Sequence, residues 1–113
     1  MKVIAAVLLV LGAASNVSGT WDVKVTFDDT RIPGGSFYCA FVQKGESITG
    51  SCSETSSEVI GEVKDQNIAW RLQLRGASST ATTFTGTVNE AGSLMTGRFT
   101  VADKGGRFDA KKL

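Results

Sequence analysis

Phe37-Tyr-Cys-Ala-Phe-Val-Gln43, followed by Lys44-Gly-Glu-Ser47 and Ile48-Thr-Gly-Ser-Cys52, is the stretch whose reading decides the fold. It reads as a β-hairpin stapled by a disulfide. With Gly45-Glu46 as a two-residue loop, Lys44 faces Ser47, and counting outward pairs Gln43 with Ile48, Phe41 with Gly50 and Cys39 with Cys52. Pairs in an antiparallel ladder alternate between a hydrogen-bonded and a closer, non-hydrogen-bonded type, and the Cys39/Cys52 step falls on the closer one. That approach is what a cross-strand disulfide needs. A three-residue loop with a bulge at Gly45 would shift the register by one. The bridge closes a short loop and contributes roughly 2–3 kcal/mol on the chain-entropy estimate.

Outward from the hairpin, apolar residues recur with period 2 and not 3.6, so strands are predicted throughout. Trp21, Val23, Val25 and Phe27 alternate with Asp22, Lys24 and Thr26. Asp28 to Gly35 is a loop containing the only proline. Ser53 to Ser57 is a polar connection. Val59, Gly61 and Val63 turn at Lys64-Asp-Gln-Asn67 and return as Ile68, Trp70, Leu72 and Leu74. With Asp65-Gln66 at the tip, Val63 faces Ile68, Gly61 faces Trp70 and Val59 faces Leu72, all on one side of the sheet. Arg75 to Thr80 reads as a second loop. Phe84, Gly86 and Val88 lie on the next strand, Asn89 to Gly92 in a turn, and Met95, Gly97, Phe99 and Val101 on the strand after it. Asp103-Lys-Gly-Gly106 is expected to turn into a last strand carrying Phe108 and Ala110, before a basic, solubilising end at Lys111-Lys112.

One pattern, apolar-x-Gly-x-apolar, occurs as Ile48-Thr-Gly-Ser-Cys52, Val59-Ile-Gly-Glu-Val63, Phe84-Thr-Gly-Thr-Val88 and Met95-Thr-Gly-Arg-Phe99. The first two are related to the last two by the same spacing, which either records a duplication or follows from hairpins of similar length. Each glycine is in phase with the apolar face, where it leaves room for a facing ring and lets a strand coil sharply. About eight short antiparallel strands with one apolar face must hide that face and their edges. An all-β, closed up-and-down barrel does both, and a two-sheet sandwich is the alternative.

Residues 1–19 read as an export signal. Lys2 is a short positive start, Val3 to Leu11 an apolar run too short to span a bilayer, and Gly12-Ala-Ala-Ser15 or Val17-Ser-Gly19 a place to cut. Residues 20–113 are then one domain in a secreted or periplasmic, oxidising compartment, which favours the bridge. Lys2 is the only charged residue in the leader, so its loss leaves eleven basic residues against eleven acidic ones. A neutral surface gives no attraction to nucleic acid or to membranes.

Asn16-Val-Ser-Gly19-Thr-Trp21 resembles the opening motif of the lipocalins and the wider calycin superfamily, an apolar residue followed by Gly-x-Trp at the start of the first strand. The resemblance implies a barrel whose bottom is closed by Trp21, with Arg98 or Arg107 packed over the ring. Asp22 departs from the aromatic or long residue favoured there, and the chain is shorter than a lipocalin. The chain is also similar to the small periplasmic barrels that inhibit secreted metalloproteases, in which the mature N-terminus enters the protease cleft.

No histidine is present, which removes the commonest general base and metal ligand. Both cysteines are committed to each other, so neither a thiol nucleophile nor a zinc site is expected. Asp28-Asp29 beside Thr30 reads as a solvated turn more readily than as a calcium site. Tyr38 is the clearest candidate for an exposed stacking aromatic. The expected product is therefore not an enzyme and needs no cofactor. Its candidate interior comprises Trp21, Phe27, Phe37, Phe41, Trp70, Leu72, Phe84, Met95, Phe99 and Phe108. These form either a filled core or an apolar pocket. The functional expectation is a small apolar ligand or a protein partner, with a protease inhibitor or a structural accessory domain as alternatives.

Overall fold

The alternation of apolar and polar residues resolves, in a computed structural model, into eight antiparallel strands that close into one barrel. The structure describes residues 15–53, 57–74 and 81–113. Most of the predicted export signal (residues 1–14), part of the predicted polar connection (54–56) and the predicted second loop (75–80) lie outside the described residues. The strands are β1 (Gly19–Phe27), β2 (Gly35–Lys44), β3 (Ser47–Cys52), β4 (Ser57–Lys64), β5 (Asn67–Leu74), β6 (Thr82–Val88), β7 (Leu94–Val101) and β8 (Lys104–Lys112). Each pairs with its neighbour in sequence and β8 returns to β1, so no edge is left open for another chain to extend.

Both counted hairpins have the expected register. Lys44 pairs with Ser47, Phe41 with Gly50 and Cys39 with Cys52, and the last pair is disulfide-bonded with Cα atoms 3.9 Å apart. Val63 pairs with Ile68, Gly61 with Trp70 and Val59 with Leu72. The equal spacing of the glycine pattern does not extend to the pairing. In β3 and β4 Gly50 faces Val59 and Gly61 faces Ile48, whereas in β6 and β7 Gly86 faces Gly97. The two halves differ in register by two residues, which favours similar hairpin lengths over duplication as the origin of the spacing.

Glycine makes the tight curvature possible by yielding space to rings. Gly50 lies opposite Phe41, Gly61 opposite Trp70 and Gly97 opposite Phe108. A Cβ on Gly61 would stand 2.5 Å from the Cβ of Trp70 and 2.7 Å from its Cα, inside any tolerable contact. The last turn departs from the sequence reading. It is formed by Ala102-Asp103, with Ala102 at φ +54°, and β8 already begins at Lys104. Gly106 is therefore not a turn residue but a further wall glycine, buried between Phe99 of β7 and Phe27 of β1. It lies outside the repeated pattern because Lys104 stands where an apolar residue would complete it.

The barrel interior is occupied by rings. Trp70 and Phe84, paired across β5 and β6, stack with centroids 3.9 Å apart and planes 5° from parallel. Phe41 meets Trp70 edge-on at 5.0 Å, and Phe108 meets Phe84 edge-on at 5.1 Å. Such pairs contribute about 0.5–1.5 kcal/mol each beyond area burial. Of the interior set, Trp21, Phe41, Trp70, Phe84, Met95, Phe99 and Phe108 are buried, and Phe27, Phe37 and Leu72 are partly buried against them. In this middle layer the contacts between rings favour the filled-core alternative.

Candidate functional site: the two ends of the barrel

The up-and-down order sorts the connections into two groups. The turns at 45–46, 65–66 and 89–93 share one end with the start of β1 and the finish of β8. The loop at 28–34, the turn at 102–103 and the finishes of β3 and β5 mark the other.

The first end is sealed. Residues Ser15 to Ser18 cross it and bond to three hairpins in turn. The Ser15 hydroxyl donates to Asn89 O at 3.0 Å and the Ser15 N–H to Asp65 O at 3.4 Å. The Val17 N–H donates to Gln43 Oε1 at 2.8 Å, and the Gln43 N–H donates to Ser18 Oγ at 2.9 Å. These bonds hold the Val17 side chain, 0% exposed, inside the barrel mouth. Val17 O accepts the Trp21 indole N–H at 2.9 Å, so the ring is both buried and satisfied.

Trp21 thus closes the bottom as the Gly-x-Trp motif implies, but the cation over it is not an arginine. Lys112 Nζ stands 5.5 Å from the ring centroid and donates to Asn16 O at 2.9 Å. Arg98 pairs instead with Asp28 near the opposite end, and Arg107 lies on the exposed outer face of β8. The lysines at the C-terminus also differ from a solvated tail: both are strand residues, and Lys112 faces Trp21 across the β1–β8 seam. Sequence reasoning missed this because β8 meets β1 only through closure, which leaves no local signal.

The second end carries no plug among the described residues. The partly buried apolar side chains Val25, Phe27, Phe37, Leu72 and Val101 all lie toward the open-end halves of their strands. They form an apolar rim over Phe84 and Phe99, with Phe37 6.5 Å from Phe84 and Phe27 5.0 Å from Phe99, centroid to centroid. The disulfide lies on the open-end half of β3, where it ties that strand to β2, the strand that carries Phe37. Beside the rim, Asp28 is held by Arg98 and Asp29 by Arg31 at 3.0 Å. The Arg31 guanidinium and backbone N–H hold the Asp29 carboxyl below the usual carboxylate range. That contact is therefore present at neutral pH and is lost only as the pH falls through the lowered value. Among the described residues no group of three or more His, Cys, Asp or Glu side chains comes together as a metal site.

Below the rim lies an unbalanced polar group. Trp70 is 2% exposed, and its indole N–H has no hydrogen-bond partner. An unsatisfied buried donor costs about 1–3 kcal/mol. Two grooves are also present on the outside of the wall. One, of 740 Å³, runs along β6 to β8 and β1 past Lys24, Leu94 and Asp109; the other, of 390 Å³, lies over β4 to β6 beside Ile60 and Arg71. Tyr38, 52% exposed, stands on the outer wall, as do Val42 and Ile60.

No known protein family and no curated protein matches the sequence. Among solved structures the chain is similar in fold to a redesigned β-barrel, mFAP1, solved bound to DFHBI. The two share 17% identity over 86% of this chain and 94% of that chain, with a TM-score of 0.59.

Proposed function

We propose that this chain is a non-enzymatic, exported barrel of calycin-like type that takes a small apolar ligand at its open end. The observation that carries the reading is the inequality of the two ends. One is sealed by Val17 and Trp21 with polar bonds to three hairpins, and the other ends in a rim of half-buried Phe27, Phe37, Leu72 and Val101. Partly exposed rings gathered over a dry core offer a ligand apolar area at about 25 cal/mol per Å². They also spare it the cost of displacing the stacked Trp70–Phe84 layer. Support from outside the chain is that mFAP1, a barrel of similar fold, was solved bound to DFHBI. The disulfide supports an oxidising compartment.

The reading is tested by thermal shift against a panel of small apolar and aromatic compounds. A compound at a hundred times its Kd stabilises by about 2.7 kcal/mol, which raises Tm by roughly 10–20 °C in a domain of this size. Phe37→Glu should abolish the rise. A panel with no stabilising compound, or a rise that survives Phe37→Glu, contradicts a ligand at the rim. A protein partner is the second reading, carried by Val42 and Ile60, exposed on either side of Thr49 on the outer wall. Inhibition by an inserted N-terminus loses support, because Ser15 to Ser18 are committed to the sealed end.

A further inference from the structure

The leader offers two places to cut, and the sealed end distinguishes them. Gly12-Ala13-Ala14 and Val17-Ser18-Gly19 both present small residues near a scissile bond. Cutting after Gly19 would remove the whole segment that closes the barrel. The loss would include the fully buried Val17 side chain, the acceptor of the Trp21 indole N–H, the backbone donor to Gln43 and the acceptor of Lys112 Nζ. Trp21 would then hold a buried donor without a partner beneath an uncovered mouth. Cutting before Ser15 removes none of these.

We infer that, if the export reading holds, the leader is removed by hydrolysis of the Ala14–Ser15 bond, so that Ser15 to Ser18 belong to the mature barrel as its plug. Water adds across that peptide bond, leaving a carboxylate on Ala14 and an ammonium on Ser15. The new ammonium inherits the place of the Ser15 N–H, 3.4 Å from Asp65 O, while the Ser15 hydroxyl keeps Asn89 O. The domain then starts at Ser15 and not at Thr20.

The test is the intact mass of the product released when the full 113-residue chain is expressed in a bacterium that exports it. A mass corresponding to a start at Ser15, with both cysteines oxidised, is expected. A start at Asn16 or beyond, Thr20 above all, overturns the inference while leaving export standing. A product that retains Met1 overturns the export reading and the inference with it. An independent arm compares residues 15–113 with residues 20–113, each made without a leader. The shorter chain should melt at least about 10 °C lower, from the loss of a buried valine and several hydrogen bonds; equal melting temperatures would contradict the plug.

Discussion

The same eight strands end in two different ways. At the sealed end a six-residue stretch, Ser15 to Thr20, is stitched to turns that are distant in sequence, and the tryptophan beneath it has its indole N–H paired and a lysine over its ring. At the open end the apolar side chains are only partly covered, and the tryptophan in the layer below, Trp70, has an N–H with no partner. The difference teaches that closing the sheet into a barrel does not by itself close the barrel's mouths. A mouth needs a plug with its own polar bonds, and among the described residues one mouth has it.

The largest expected effect comes from breaking the plug. Val17→Asp places a carboxylate in a fully buried apolar site, and it should cost at least about 3 kcal/mol, measured as the midpoint of urea unfolding. The two tryptophans sharpen the comparison at an intermediate level. Trp21→Phe removes the bond to Val17 O and weakens the contact with Lys112, and should cost about 2–4 kcal/mol. Trp70→Phe loses ring area but also removes an unsatisfied donor, so it should cost at least about 1 kcal/mol less than Trp21→Phe in the same measurement. Equal costs would show that the two ends are alike in energy.

What was legible in the sequence follows the same division. Cys39–Cys52, Phe41–Gly50 and Gly61–Trp70 are pairs within single hairpins, where loop length and a period of two residues fix the register. Trp21 at the bottom was legible through the Gly-x-Trp motif. Gly106, Lys112 and Val17 were not legible in these roles, because each acts across the β1–β8 seam or across the barrel mouth. Contacts made by closure bring together residues nearly a hundred positions apart, as in Lys112 Nζ to Asn16 O, and leave no periodic trace. Gly105-Gly106 also carried a misleading signal, since adjacent glycines favour a turn. Here the wall needed a residue without a Cβ between Phe27 and Phe99, and the turn fell on Ala102 in the left-handed region instead.

That turn gives the smallest expected effect, and it lies at the open end. Ala102→Gly relieves a positive φ at the price of unfolded-chain entropy, so a gain of up to about 1 kcal/mol is expected in the urea midpoint.

The inequality of the ends is tested most directly by mapping amide chemical shifts while the apolar probe 1-anilinonaphthalene-8-sulfonate is titrated into the folded protein. Shifts gathered at Phe27, Phe37, Leu72 and Val101, with Val17, Trp21 and Gln43 unmoved, are the result predicted. Shifts centred on Val17 and Trp21, or spread along the outer wall beside Leu94, would contradict a sealed floor beneath an open rim.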